Sequence, residues 1–551
     1  LVYPHYLAPL PSMAIVEFQA DLTEGSLSEG YRIPRGTVLR GQLPRGEQTA
    51  CDYRTAHEVT LWPLRIAAAD YFGRNVAAIA LPGQLQKLKA GLRLRLQATA
   101  GLNFSQLPLE RLQIHLRGDE VRSHRLYEQL FANARAILIR PVGDRSWHEV
   151  LPADTIGRVG FEEDQALLPY GPQSFSGYRL INEYFAFAPR FLFFELTELA
   201  KSFRRCEANE IEIIILFDRV DSQLENLVDA DQLALFCSPA VNLFPRRLDR
   251  IHLDFGEVEH HVIPDRTRPM DIEVYQITNV EGFGDEGTEP RPVRSFYTLN
   301  EHDHLGKDAN LAYYTTRREP RLLSSRQRRA GPRSSYVGSE LFLTLVDGNH
   351  APYGRDLQQL DIQALCTNRD LPLLMPIGLG RTDFTMELGA PVSSVRVVSG
   401  PSRPRPPLVY GDGSQAWRLV NHLSLDYLSL ADRDSEHGAV VLRELLGLYA
   451  DPVEADLMKQ IEGVRSVRTQ PIVRRMPVSG PISFARGLEI ELLFDEVTFG
   501  GSGGVFLLGA VLSEFFTRYA TVNSFTETIL KTTDRGEIMR WPTKIGKRQL
   551  I

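Results

Sequence analysis

Residues 494–516, FDEVTFGGSGGVFLLGAVLSEFF, place Gly500, Ser502 and Gly504 in Gly-x-Ser-x-Gly order between a strand-like run and a helix-like one. On a strand, tight turn and helix, that spacing builds a nucleophile elbow, in which the serine attacks an acyl carbon and a histidine takes its proton. In hydrolases of this kind the acid and the histidine follow the serine, whereas the last histidine here is His437. Triads are defined by geometry, so another chain order stays open and Ser502 is kept as the nucleophile of a rival hydrolase reading. A phosphate loop would need Lys and then Ser or Thr after Gly509, where Ala510 and Val511 stand; a dinucleotide fingerprint would need glycine at Phe506. Glycines also let backbones pack closely. The expected role is therefore a turn through which an apolar helix packs onto its sheet, with free N–H groups able to hold an anion.

Other candidate chemistry is more scattered. His302 and His304 flank Asp303, and His252, His260 and His261 lie near Asp249 and Asp254, but neither group has a further ligand at metal-site spacing. Asp432 and Asp434 read as a solvated, capped helix start. No catalytic, cofactor or metal set can be assembled without choosing residues freely. Residues 317–333 hold Arg317, Arg318, Arg321, Arg326, Arg328, Arg329 and Arg333 with one acid, Glu319. Such runs are usually solvated loop, with docking of an acidic partner next. Nucleic-acid binding is the lesser alternative because no aromatic ladder interleaves the arginines.

The elements behind these residues belong to a large soluble chain: 551 residues, 43% apolar and 24% charged, enough for two to four domains. With 62 basic and 69 acidic side chains the net charge is -7, so no global excess draws it to nucleic acid or anionic lipid. Cys51, Cys206, Cys237 and Cys366 stand far apart, which suits a reducing compartment better than a disulfide framework. The longest apolar runs, IEIIILF and VFLLGAVL, fall short of the roughly 20 residues that span a bilayer. The chain opens at LVYPHYL without Met or a signal, so its true N-terminus is expected to be missing.

The predicted fold is α+β and β-rich, multidomain, with mixed sheets and few helices. In residues 1–155, LRLRLQ and LQIHL alternate as half-buried strands, followed by a helix over 121–131 and the strand ARAILIRPV. Residues 156–400 form a β-rich middle domain carrying a long polar insertion, 279–335. A stiff Pro-rich linker, 401–413, marks a boundary. Residues 414–551 form a C-terminal α+β domain ending in ββαββ. There, a helix over 452–462 is predicted with Asp451 as N-cap, Pro452 at N1, Glu454 at N3 and Gly463 past its end. Val505, Leu508, Leu512, Phe515, Phe516 and Tyr519 predict another at helical spacing.

Seven separated stretches add a resemblance. YPHYLAPLPSMAIVEF, IPRGTVL, CDYRTAHEVTLWPL, LINEYFAFAPRFLFFEL, PAVNLF, WRLVNHLSLDYLSL and DEVTFGGSGGVFLLGAVLSEFFTRYATVNSF recur end to end in the order seen in TssF. The chain thus resembles this family of type VI secretion baseplate subunits, lacking the helical segment that precedes YPHYL. The resemblance implies a non-enzymatic, cytoplasmic wedge component of a contractile injection machine, assembled at the inner membrane. It further implies two TssF copies per TssG, joined to TssK and TssE, near the VgrG spike and the sheath, with no nucleic acid and no membrane insertion. Aromatic and arginine anchors carry most interface energy. The candidates, each an interface or a core anchor, are Tyr3, His5, Tyr6, Tyr184, Phe185, Phe187, Phe191, Arg326, Arg328, Arg329, Trp417 and His422. For 184–191 and His422, packing is the favoured role.

Overall fold

Six short strands close into a barrel in the order Met13–Ala20, Cys237–Val241, Asp52–Thr55, Val38–Gly41, Phe384–Met386, Val392–Ser399. In this computed structural model, all residues are described except 1–5, 7, 22–24, 74–80, 82, 144–145, 172–173, 255, 285–288, 297–311, 332, 348–356, 388, 408–416, 418–419, 421–434, 452, 476–483, 501 and 548–551. Alternation along Met13–Ala20 sends Ala14, Val16 and Phe18 into the barrel, where Tyr53 meets Phe384 edge to face at 5.2 Å. Met13 and Ile15 face a second apolar cluster outside it. Closure removes the open sheet edges that invite pairing with other chains.

Beside the barrel lie a five-stranded sheet and a four-stranded one. The first runs Glu149–Pro152, Ala134–Pro141, Glu210–Phe217, Ala90–Ala98, Leu64–Phe72; the second runs Ile156–Val159, Phe193–Leu196, Leu112–Leu116, Leu233–Leu235. Strands from both sides of residue 155 share both sheets. Glu210–Phe217 is central and covered on both faces: Ile211, Ile213 and Ile215 enter the main core, while Ile214 and Leu216 join Leu138 and Leu81. This double burial explains its unbroken apolar run. In Leu112–Leu116 the half-buried expectation fails at His115, which is buried against Phe193 at 4.4 Å.

About half of the described residues of the expected polar insertion, 279–335, are strand. Glu273–Phe283, Arg291–Ser295 and Ala312–Pro320 are strands of an eight-stranded sheet with Ser339–Asp347 and Gln359–Thr367. Most acids that pair with its arginines lie elsewhere in the chain, so composition alone hid the pairing. Arg317 bonds Glu259 and Glu319, Arg318 donates to the Val274 and Tyr275 carbonyls, and Arg333 reaches Glu47, Asp271 and Asp370.

The C-terminal region has the expected ββαββ order: Val464–Arg475, Phe484–Phe494, helix Ser502–Tyr519, Phe525–Thr532, Gly536–Arg540. Phe484–Phe494 and Phe525–Thr532 pair in parallel, a geometry that requires the helix as crossover. The predicted 452–462 helix begins later, as Ala455–Glu462 with Glu454 at its N-cap. Asp451 instead accepts from Val453 N at 3.0 Å, and Gly463 has φ −66, outside the left-handed region; its small size is needed because Phe499 packs 2.9 Å from where a Cβ would stand. Residues 401–407 of the Pro-rich stretch lie on the barrel, where Leu10 and Arg405 exchange backbone bonds of 2.7 and 3.0 Å. One continuous core joins residues as distant as Tyr6, Tyr184, Leu446 and Trp541. The four cysteines are buried and free. Among the described residues no helix is long and apolar enough to cross a membrane.

Truncating a side chain in the central strand should be felt by the whole chain. Ile213→Ala is expected to cost about 3 kcal/mol by cavity formation, read as a lower urea midpoint with an unchanged slope.

Candidate functional site

The glycine turn is built by packing. A short 3-10 turn, Glu496–Phe499, ends on Gly500 in the left-handed conformation (φ 66), and the helix starts at Ser502. A Cβ on Gly503 would stand 2.5 Å from the Arg125 backbone nitrogen, and one on Gly509 would stand 2.9 Å from Leu530. The helix is thus pressed between helix Glu120–Glu128 and strand Phe525–Thr532. From Gly503 to Ala520 every residue is buried, so the helix is enclosed on all sides and not only by its sheet. The cleft beside the turn is lined by Glu120, His124 and Asp456 among others. His124 Nδ1 is 3.9 Å from Glu120, and burial lowers its pKa to about 4. Among the described residues no group of three His, Cys, Asp or Glu side chains is placed to hold a metal ion.

The densest polar constellation lies elsewhere, and no motif announced it. Glu183, on helix Ser176–Phe187, is 0% exposed; its carboxylate binds Arg179, 1% exposed, at 3.2 Å and also Arg190, 0% exposed. The same carboxylate accepts the backbone N–H groups of Leu167 and Leu168 at 3.0 and 2.9 Å. Four guanidiniums then take carbonyls of that loop: Arg518 that of Phe161, Arg179 that of Glu162 (3.5 Å), Arg190 that of Gln165 (2.7 Å) and Arg35 that of Ala166 (2.8 Å). Alongside, Glu514 of the crossover helix binds Arg158 at 3.0 Å and Lys544. Burial, then the charges of Arg179, Arg518 and Arg35, work against the Arg190 charge, yet a guanidinium stays protonated in proteins. The loop carbonyls and Glu183 supply the compensation. These residues fix backbone; none of them aims an activated nucleophile at a cavity. Sequence reading missed the cluster because its members are spread from residue 35 to 544, and only the i, i+4 spacing of Arg179 and Glu183 was locally visible.

Of the residues singled out in the sequence, Tyr184, Phe185, Phe187 and Phe191 are buried within the chain. Tyr6 is buried and its hydroxyl donates to the Leu448 carbonyl at 3.1 Å. Arg328 and Arg329 are exposed on the short helix Ser325–Ala330, and Trp417 is 71% exposed. Tyr3, His5 and His422 lie outside the described residues, as do the side chains of Arg326 and Ser502. His302 and His304 lie outside them too.

Comparison with known proteins follows the same lines over the whole chain. The family model described as "Type VI secretion system, TssF" matches residues 1–548. Type VI secretion system component TssF1 of Pseudomonas aeruginosa is 53% identical over 549 residues, covering 100% of this chain and 87% of that protein. Among solved structures, the fold is similar to a chain of the type VI secretion system TssK-TssF-TssG baseplate subcomplex seen by cryo-electron microscopy. The TM-score is 0.74 at 23% identity, covering 100% of this chain and 94% of that one. A chain of the baseplate complex from the type VI secretion system gives a TM-score of 0.60 at 20% identity, covering 100% and 87%. At these identities the likeness is one of fold.

Two outcomes follow from the buried groups. Glu183→Gln leaves two enclosed guanidiniums without their anion and is expected to cost about 3–5 kcal/mol in urea unfolding. His115 and His124 are held neutral by burial, at about 3 and about 4, against about 6.5 when unfolded. Their contribution is complete above pH 6.5 and is lost as pH falls toward 4, by about 1.4 kcal/mol per pH unit for each. Urea midpoints between pH 7 and 4 should therefore fall less steeply in His124→Gln than in the parent.

Proposed function

This chain belongs to the TssF family of type VI secretion system components, and from that premise we propose that it is a non-enzymatic structural subunit of the secretion baseplate. The observation that carries this reading is the 53% identity to TssF1 along the whole chain. Its physical support is the glycine turn, where Gly503 is accounted for by backbone contact with helix Glu120–Glu128 and Gly500 by its left-handed conformation. One solved structure with a chain of similar fold is a TssK-TssF-TssG baseplate subcomplex, and we take TssK and TssG as this chain's direct partners. The finer arrangement belongs to the same proposal: two copies per TssG, contact with TssE, proximity to the VgrG spike and sheath, and cytoplasmic assembly against the inner membrane.

A subunit of this kind works by burying broad, specific surfaces, and obligate interfaces commonly bury 2,000 Å² or more. Exposed anchors are then the side chains to watch: Trp417 first, with Arg328 and Arg329 behind it. Large aromatic and arginine side chains dominate interface energies when a partner encloses them.

Co-expression with TssK and TssG from the same system should yield one complex on size-exclusion chromatography. Ser502→Ala should leave its yield unchanged, whereas Trp417→Ala is expected to weaken it by about 2 kcal/mol, some 30-fold in affinity. A serine-ester hydrolysis activity abolished by Ser502→Ala would overturn the structural reading in favour of the hydrolase.

A further inference from the structure

The connections at one end of the barrel, where Gly41 pairs with Phe384, carry four exposed leucines that the fold does not use. The turn after Val38–Gly41 presents Leu43, 53% exposed, and the connection before Phe384–Met386 presents Leu373, Leu374 and Leu379, the last 85% exposed. These segments are fastened to one another. Gln42 donates to the Thr382 carbonyl at 2.8 Å, and the Met375 side chain lies against Gly41. Arg333 bonds Glu47 at 3.2 Å on one side and Asp370 at 2.6 Å on the other. The patch is therefore presented by a braced surface.

Its charge is one-sided. Glu47, Asp271 and Asp370 are all engaged by Arg333, and the buried Asp383 accepts the Gly378 and Val397 N–H groups at 2.7 and 2.9 Å. Arg45 and Arg381 border the leucines, are exposed, and have no ion pair or hydrogen-bond partner among the described residues. Four exposed leucines on a held surface, flanked by two unpaired guanidiniums, exceed the scattered single apolar residues normal for a protein surface.

We propose that this barrel end is a docking surface for an acidic, leucine-type segment of a partner subunit, in which Leu, Ile, Val or Phe side chains alternate with Asp or Glu. The apolar side chains cover the leucines, and the carboxylates pair with Arg45 and Arg381, a bidentate geometry for which guanidinium is suited. This rests on the baseplate reading, since it needs a partner subunit; it adds which surface is used and what chemistry recognises it.

The test uses the full chain co-expressed with TssK and TssG. All four native cysteines are buried, so Leu379→Cys introduces an accessible thiol for a photo-activatable maleimide. Cross-linked peptides should come from a partner segment of the stated acidic and apolar composition. Leu43→Ser combined with Leu379→Ser, and separately Arg45→Glu combined with Arg381→Glu, should each lower complex recovery at least tenfold with unchanged thermal melting. The charge-reversed pair should be rescued by Lys at the partner's cross-linked acids. Wild-type recovery by both double variants, or cross-links to a basic segment or to a second copy of this chain, would overturn the proposal. If even the parent chain forms no complex, the baseplate reading falls and this proposal falls with it; if the parent assembles and the variants assemble equally well, only the docking surface is lost.

Discussion

The buried carboxylate of Glu183 is the point from which the rest of the structure is held. It neutralises Arg179 and Arg190 and accepts the Leu167 and Leu168 amides, so one anion fixes both a helix and the loop that follows Ile156–Val159. The arginines in turn occupy carbonyls of that loop, with Arg35 arriving from near the barrel and Arg518 from the C-terminal crossover helix. Buried ion pairs add little net stability over apolar packing, but they are unforgiving of misplacement. Here that strictness sets the relative position of three remote parts of the chain.

Apolar packing supplies the stability that the charges then orient. The crossover helix is buried along its length, and the core it occupies also contains side chains from the N-terminal sheets. Gly503 brings its backbone against helix Glu120–Glu128, and Arg535 reaches back to Glu128. The Pro-rich stretch does not isolate the C-terminal region, because core and charge cluster both cross it.

Local patterns were legible wherever one short range of residues decided the outcome. LRLRLQ, LQIHL and ARAILIRP are strands, and the tail is ββαββ, because strand patterning and turn chemistry act within a few residues. The glycine turn was also legible as a packing device, though its partner, helix Glu120–Glu128, lies nearly 400 residues away. Arg317 and Arg333 read as solvated loop because their partners Glu259, Glu47 and Asp370 are remote. His115 looked half-exposed by alternation, but its sheet is covered on both faces. The Glu183 cluster, assembled from residues 35 to 544, had no sequence signature beyond one helical i, i+4 pair.

Native-state hydrogen exchange followed by mass spectrometry measures most directly whether the two ends of the chain form one body. The amides of Leu167 and Leu168 and those in the interior of Ser502–Tyr519 are predicted to exchange with the same opening free energy, and Glu183→Gln should lower both together. A crossover helix that opens at much lower free energy than the Leu167–Leu168 amides, unaffected by Glu183→Gln, would mean that the C-terminal region is an independent domain and that the buried cluster does not join the chain.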